Sequence, residues 1–407
     1  MRAERGLVVV GGGPAGCAAA ITAAEGGVAV TLVDKARFPR DKCCGDGLTT
    51  AALRDLEALG VDPRRLPSFT PTPELVLQGA SGRRALLALG DEEGIAAAVC
   101  RRLELDAALV ARAREEGVTV LEGEAFSGLS LDEGGVELAL SGGARLRAGA
   151  VVAADGAWSA VRKALPEAAG ARAAPLHWHA YRAYYSSLSE EAERRLLVAF
   201  EDALLPGYAW SFPLGDGTAN VGVCLPRTTR RPGATLAELC EATLSGPALG
   251  AFLGASARRE GPLRSWPIPA PVGSLPLVAG GGRVLFVGDA ARAADPFSGE
   301  GIGQALLTGR AAGRALATAT GQAAAAAYRA ELAGGLLPDQ RLASWCNAAM
   351  RHRPTSRAAI ALAGAHPRVG RAFGRWLYEE YPRPDLFRPW RWRRSLPRRA
   401  LPFSAAA

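Results

Sequence analysis

The chain has 407 residues, 49% hydrophobic and 22% charged, with a formal net charge of +8. These are the proportions of an ordinary globular protein of one to three domains. Seven cysteines without a C-x-x-C pair exclude a zinc module or disulfide framework and point to a reducing compartment, and no run of about 18 apolar residues offers a membrane span.

The first element is a β-branched run, Leu7 to Val10, ending in Gly11-Gly-Gly-Pro-Ala-Gly16. An apolar run of this kind suits a parallel strand buried on both faces. Gly11, Gly13 and Gly16 match G-x-G-x-x-G: the first allows the tight turn, the second lets backbone approach a pyrophosphate, and the third lets helix pack on strand. Pro14 sits in the first turn of a helix expected over residues 15–25, where no backbone donor is needed, and Ala15 follows it. The N-terminus of that helix points at the phosphates. A second strand over 28–33 leads to Asp34, placed to accept hydrogen bonds from a ribose, and then to Lys35. Because the first strand starts so close to Met1, there is no room for a cleaved signal peptide and a cytoplasmic location is expected.

Further along, short strands are expected around 118–123, 126–131, 135–140 and 144–147, with Gly-Gly turns separating the later ones. A buried strand from Val151 ends at Asp155-Gly156, and a helix follows near Ser159. Residues 177–185 alternate like a sheet strand, with His177, His179 and Tyr181 on one face and Trp178, Arg182 and Tyr184 on the other. His179 and Tyr181 are read as a polar wall for a substrate rather than as metal ligands, because no carboxylate or cysteine nearby completes a site. In Gly207-Tyr-Ala-Trp-Ser-Phe-Pro213, the aromatic rings of Tyr208, Trp210 and Phe212 alternate with small residues and so share a face. They either line a channel or pack a core. A third apolar strand ends at Gly288-Asp289, and the loop Pro296 to Gly301 leads into a helix over 302–317. The alanine-rich stretch 310–330 is good helix. From Arg383 to the end there are seven arginines and one aspartate, interleaved with Phe387, Trp390, Trp392 and Phe403. This tail carries +6 and leaves +2 for the rest. It suits an anionic membrane surface or is a solvated end; no nucleic-acid motif accompanies it, so no nucleic-acid partner is expected.

Two of these segments resemble the FAD-binding signatures of the aromatic-hydroxylase superfamily. Asp155-Gly-Ala-Trp-Ser-Ala-Val-Arg162 is similar to its D-G-x-x-S-x-x-R, and the segment from Gly288 to Gly301 is similar to its G-D motif and following loop. The resemblance implies FAD as cofactor, with Asp289 on the ribityl chain and the helix beginning at Ile302 directed at the pyrimidine side of the flavin. There a helix N-terminus stabilises negative charge on the reduced ring. Arg102 matches the arginine of the family's R-x-x-L-D stretch, which contacts the phosphates or flavin; a structural ion pair is the other reading.

Phe38-Pro-Arg-Asp-Lys-Cys-Cys-Gly-Asp-Gly-Leu48 and the Tyr208–Pro213 segment with Asn220-Val-Gly222 narrow the resemblance to the geranylgeranyl reductase family, with its P-C-G-D-G-L and Y-x-W-x-F-P…G-x-G patterns. Cys43 replaces the usual proline, and Cys224 replaces the second glycine of G-x-G. By this resemblance Cys44, Tyr208 and Trp210 carry the chemistry, and Gly47, Tyr208, Trp210 and Phe212 hold the substrate, with His179 and Tyr181 added from the polar wall that the alternation gives. The FAD set is Gly11, Gly13, Pro14, Ala15, Gly16, Asp34, Lys35, Cys44, Gly45, Arg102, Asp155, Gly156, Gly288, Asp289, Pro296, Gly299, Gly301 and Ile302, and no metal is expected. Cys44 either gates the flavin and relays a proton or is inert; Asp46 is a turn residue or an acid.

The expected fold is α/β: a Rossmann-type FAD-binding domain (1–68, 101–172 and 277–335) interleaved with an antiparallel-sheet substrate domain (69–100 and 173–276), followed by a helical C-terminal region (336–407). The expected activity is reduction of isoprenoid or polyprenyl double bonds. An FAD-dependent monooxygenase of a natural product and a non-catalytic flavin-binding protein are the alternatives. Electrons would come from transient NAD(P)H or a redox partner, since no second nucleotide fingerprint occurs. The partner expected is a hydrophobic small molecule or prenyl lipid, with peripheral membrane contact through the tail.

Overall fold

A computed structural model describes residues 6–89, 94–168, 178–227, 229, 235–378, 383–384 and 401–404. Its first sheet has six strands in the order Val278–Ala279, Val284–Phe286, Ala150–Ala153, Leu7–Val10, Val30–Asp34 and Thr119–Glu122. All neighbours are parallel except the first pair. The central strands Leu7–Val10 and Ala150–Ala153 are buried throughout, because both faces of the sheet are covered. Alternate side chains feed two cores. Leu7 and Val9 pack with the helices Pro14–Glu25, Arg102–Glu115 and Ile302–Thr318. Val8 and Val10 pack beneath an antiparallel meander of Phe126–Asp132, Gly135–Leu140 and Arg145–Ala148. These strands and helices follow the expected pattern to within one or two residues. The alanine-rich stretch is helical in two pieces, Ile302–Thr318 and Gly321–Gly334. Ala319 is extended and Gly321 lies in the left-handed region at φ +54°, so good helix formers on both sides do not bridge the break.

The second sheet has seven strands in the order Arg258–Ile268, Trp178–Ser186, Ala219–Pro226, Tyr208–Pro213, Leu196–Phe200, Glu74–Gly79 and Arg84–Ala88. It draws strands from both sides of the meander in sequence. One face packs on the helices Leu236–Leu244 and Pro247–Leu253. The other carries Leu75, Leu77 and Leu87 against Ile360, Ala363, Phe373 and Leu377 from the C-terminal helices. Two of those helices, Arg353–Ala363 and Pro367–Leu377, roof the second sheet, and Leu336–Met350 precedes them.

The helices Pro14–Glu25 and Ile302–Thr318 touch backbone to backbone. A Cβ on Gly309 would lie 2.1 Å from the Ala15 carbonyl oxygen, and one on Gly313 would lie 2.8 Å from that of Ala19. This contact aligns the N-termini of two distant helices on one cavity. Gly309→Ala is expected to push them apart, lowering stability by about 1–3 kcal/mol and weakening flavin retention together. Thermal unfolding and flavin content of the purified variant check it.

Candidate functional site

A single cavity of about 1310 Å³ runs from Gly11 and Asp34 to Phe373 and Trp376. That exceeds the ~300–1,000 Å³ of one ligand pocket, so it has room for a dinucleotide and a second molecule.

At the sheet end, Gly11 leaves its strand at φ +109°, and a Cβ there would lie 2.3 Å from the Ala154 carbonyl. Gly16 is buried beneath the loop, where a Cβ would sit 1.8 Å from the Gly11 carbonyl; its role is packing, and it does not line the cavity. Gly13 differs from both, since a Cβ would meet only the Arg40 guanidinium at 3.7 Å. The fold therefore demands the first and third glycines, and the occupant of the cavity demands the second. Asp34 accepts from the amides of Gly12 at 2.7 Å and Ala36 at 2.8 Å, which ties the glycine loop to the second strand and leaves further lone pairs on both oxygens. Pro14, Ala15 and Lys35 line the same end.

Asp155 accepts from Val161 N at 3.0 Å through Oδ2, and its buried Oδ1 finds no partner among the described residues. A Cβ at Gly156 or Gly301 would meet nothing within 4 Å, and both glycines line the cavity. An orphaned carboxylate oxygen and three glycines whose missing side chains would point into open space or barely touch protein fit FAD. Gly288, at φ +54°, packs against Ala15. Asp289 on the wall is 3.8 Å from Lys42, whose ammonium lies 3.9 Å from the Trp266 ring centroid. Arg102 is both an ion-pair residue and a wall residue: it grips Asp106 with two bonds of 2.7 and 2.8 Å, and Asp106 also takes Arg40 at 3.0 Å.

Midway, the turn Cys44-Gly45-Asp46 meets the second sheet. A Cβ on Gly45 would be 3.5 Å from Trp210 Nε1, and one on Gly47 would be 3.3 Å from Phe212 Cε2, so the two sequence segments face each other. Asp46 is fully buried at φ +64° and accepts from Tyr184 Oη at 2.9 Å and Asn220 Nδ2 at 2.7 Å. Asn220 gives its other N–H to the Cys44 carbonyl at 2.7 Å and accepts from Trp210 Nε1 at 3.0 Å. Because an ionised carboxylate and a carbonyl only accept, the amide has one orientation, and that orientation holds the Trp210 indole. Gly222 completes the clamp: a Cβ there would lie 2.3 Å from the Trp210 ring. Burial pushes the Asp46 carboxyl up to about 6, against lowering by Asn220 and Tyr184. Burial also raises the Cys44 thiol, opposed by Arg102, and pushes Cys43 up to about 11.

The far end is an aromatic chamber. Tyr208, Trp210 and Phe212 line it in succession, with ring centroids 6.2 Å apart at each step. Tyr208 donates to the Ser298 carbonyl, joining this strand to the loop that carries Phe297, Gly299, Gly301 and Ile302 on the wall. Cys224 packs beside Trp178 and Trp210, so the side chain that replaces a family glycine faces the chamber. Met350, Ile360, Phe373, Trp376 and Tyr378 close it from the C-terminal helices.

Besides Gly16, three expected residues do not line the cavity. His179 and Tyr181 lie on the opposite face of the second sheet, where Tyr181 packs with the core beneath Leu239 and Cys240 and the two rings contact each other at 5.1 Å; Ala180 lines the cavity instead. The alternation was right and the face wrong, because both faces of this sheet are covered. Pro296 is buried behind the loop whose later residues form the wall. Arg383, counted with the basic tail, is fully buried and paired with Asp295 and Asp339. Residues 385–400 of that tail, and His177, lie outside the described residues. For Asp46 the sequence leaves a turn residue and an acid both open. Asn220, Lys42 and the C-terminal wall are not among the expected site residues. Only Asn220 carried a signal, through its place before Gly222.

Gly13→Ala is expected to leave the melting temperature of the flavin-free protein unchanged and to reduce FAD retention, measured as flavin absorbance per polypeptide. Asn220→Ala leaves Trp210 Nε1 and Asp46 each short of a partner and should cost about 1–3 kcal/mol, with a change in the near-ultraviolet signal of Trp210.

Residues 5–199 match the FAD binding domain family. Menaquinone reductase of Mycobacterium tuberculosis is 34% identical over 328 residues, covering 76% of this chain and 76% of that protein. Digeranylgeranylglycerophospholipid reductase 1 of Methanopyrus kandleri is 33% identical over 327 residues, covering 76% and 80%. Among solved structures, a geranylgeranyl bacteriochlorophyll reductase-like protein of Thermoplasma acidophilum superimposes with a TM-score of 0.71 at 21% identity, covering 89% of this chain and 97% of that one.

Proposed function

The chain belongs to the geranylgeranyl reductase family of FAD-dependent oxidoreductases, and from that premise we propose that it saturates carbon–carbon double bonds in the isoprenoid tail of a lipophilic substrate, a prenylated quinone or prenyl lipid. The observation that carries this reading is the continuity of one cavity from the glycine loop to the aromatic chamber. An isolated double bond is a poor hydride acceptor and needs a proton donor on one carbon as the hydride reaches the other. Reduced FAD, when bound, supplies the hydride from its N5 position.

The protein supplies shape, dryness and the proton. Tyr208, Trp210 and Phe212 give an isoprenoid chain a continuous aromatic face. Trp210 is held by Asn220 and Tyr208 by Ser298, so that face is preorganised. Cys44 keeps its proton at Sγ because burial disfavours the thiolate, and it lines the cavity beside Arg102; we assign it the proton. Cys224 narrows the chamber where the family has glycine and so bears on which chain fits. Transient NAD(P)H or a redox partner would deliver electrons.

Membrane contact is assigned to the C-terminal helices together with the tail. Residues 336–378 hold seven arginines and one aspartate. Trp345 is 80% exposed and Leu362 63% exposed on helices whose other residues wall the chamber. An arginine-rich surface with exposed tryptophan suits anionic lipid. No helix among the described residues is long and apolar enough to cross a membrane.

The reduced holoprotein, incubated anaerobically with menaquinone or a geranylgeranylated lipid, is expected to add two hydrogens per double bond by mass spectrometry; failure with every prenylated lipid overturns the reading. Cys44→Ala should lower that rate by about 10²–10⁴-fold with flavin content intact, and a smaller loss moves the proton elsewhere. Co-flotation with anionic but not neutral vesicles, weakened by salt, checks the membrane assignment.

A further inference from the structure

The helix Ile302–Thr318 begins with a negative charge already seated on it. The Glu300 carboxylate turns onto the first turn and accepts from Gly303 N at 2.8 Å and Gln304 N at 3.3 Å. Glu300 also lines the cavity, next to Gly301, whose Cβ position is open. A dinucleotide anchored at Gly13 and Asp34 must pass the stretch walled by Cys44–Gly47 on one side and Phe297–Ile302 on the other before reaching the aromatic chamber. Its ring system therefore lies against this loop. Reduction by two electrons adds negative charge to that ring. A helix N-terminus favours such charge, and a carboxylate occupying the same N-terminus opposes it.

We propose that Glu300 sets the reduction potential of the bound FAD: its ionised carboxylate offsets the helix N-terminus and keeps the cofactor a strong reductant. This deepens the reductase reading, since reduction of an isolated double bond demands a strong hydride donor, but it depends only on FAD binding and not on the choice of substrate. Of the charged and titratable groups around Glu300, Asp46 is pushed up to about 6 and is common to the unaltered protein and Glu300→Gln, so the difference between them isolates Glu300. Asp295 is held by Arg383, by the amides of Phe297 and Ser298, and by the Ser298 hydroxyl. Asp339 is tied to Arg383 at 3.2 Å. Asp55, on the helix Thr50–Ala58, is paired with Arg310. Across the cavity, Asp46 is engaged by Tyr184 and Asn220, Arg102 is engaged by Asp106, and Cys44 stays a thiol. Burial raises Tyr208, and also Tyr378, so both stay neutral. Burial pushes the Glu300 carboxyl up to about 7, against lowering by the amides of Gly303 and Gln304.

The test is a spectroelectrochemical titration of the FAD-loaded protein and of Glu300→Gln at pH 8 and pH 6, without substrate. Glutamine keeps the shape, and its Oε1 still accepts from the first helical turn. At pH 8 the variant should be reduced more easily by about tenfold in the equilibrium constant, about 30 mV for a two-electron couple. At pH 6, below the range to which burial raises Glu300, the gap should shrink. Equal potentials at pH 8, or the same gap at both pH values, overturn the proposal. If the variant loses its flavin, the unaltered protein still decides. Its potential should fall with an additional steep segment around neutral pH, above any segment from Asp46 near pH 6, and an unbroken line through neutral pH overturns the proposal. Because no substrate takes part, failure to reduce prenyl lipids leaves this result independent.

Discussion

The close approach of the helices Pro14–Glu25 and Ile302–Thr318 is the constraint on which the site depends. Glycine at positions 309 and 313 lets one helix lie directly on the carbonyls of Ala15 and Ala19. The two helices are far apart in sequence, yet their N-termini open on the same cavity. One opens on it through Gly13 and Pro14; the other lies beside the loop Phe297–Ile302. A helix N-terminus is an electrostatic device with short reach, so two of them act on one dinucleotide only if the helices are fixed this closely. Their small residues contribute little apolar area each. What they provide is distance.

The second constraint joins the halves of the cavity. The turn Cys44-Gly45-Asp46 follows from the first sheet, whereas Tyr184, Trp210 and Asn220 belong to the second. Asp46 and the Cys44 carbonyl take both N–H groups of Asn220, and Asn220 Oδ1 takes the Trp210 indole. Every polar group in this chain of contacts is satisfied, as a buried network requires. The aromatic face is therefore positioned by the same turn that walls the middle of the cavity. The cysteine at 43 and the cysteine at 224 sit on either side of this junction, where the family has proline and glycine. Cys224 adds a side chain to the cavity wall, Cys43 puts a thiol there in place of a ring, and both leave the glycine loop untouched.

Much of the cofactor end was legible because its signals are local. A strand, three glycines, a helix and a terminal acid lie within Leu7 to Asp34, and each glycine has a backbone reason that neighbouring residues reveal. Gly-Asp at 288–289 and Asp-Gly at 155–156 are likewise strand ends that bring their own turns. Alternation also placed Tyr208, Trp210 and Phe212 on one face. The same logic misassigned His179 and Tyr181, because alternation divides a strand into two faces without saying what covers each. In this sheet the helices Leu236–Leu244 and Pro247–Leu253 cover the face that holds Tyr181, and the cavity lies on the other. Pro296 was misplaced for a similar reason: a loop motif does not say which of its residues turn outward.

From the sequence alone came the cofactor class, the order of the strands and helices around it, and the aromatic stripe. All of these rest on contacts between residues near one another in the chain. Only the tertiary structure decided that Asp46 and Asn220 meet, that Arg383 is buried against Asp295 and Asp339, and that Met350, Phe373 and Trp376 close the chamber. It also decided that Glu300 shares a helix N-terminus with the cofactor site. Each of these depends on two distant segments arriving at one point, and the strength of a charge or hydrogen bond is set by that distance and by the water excluded there. No pattern of residue types carries either quantity.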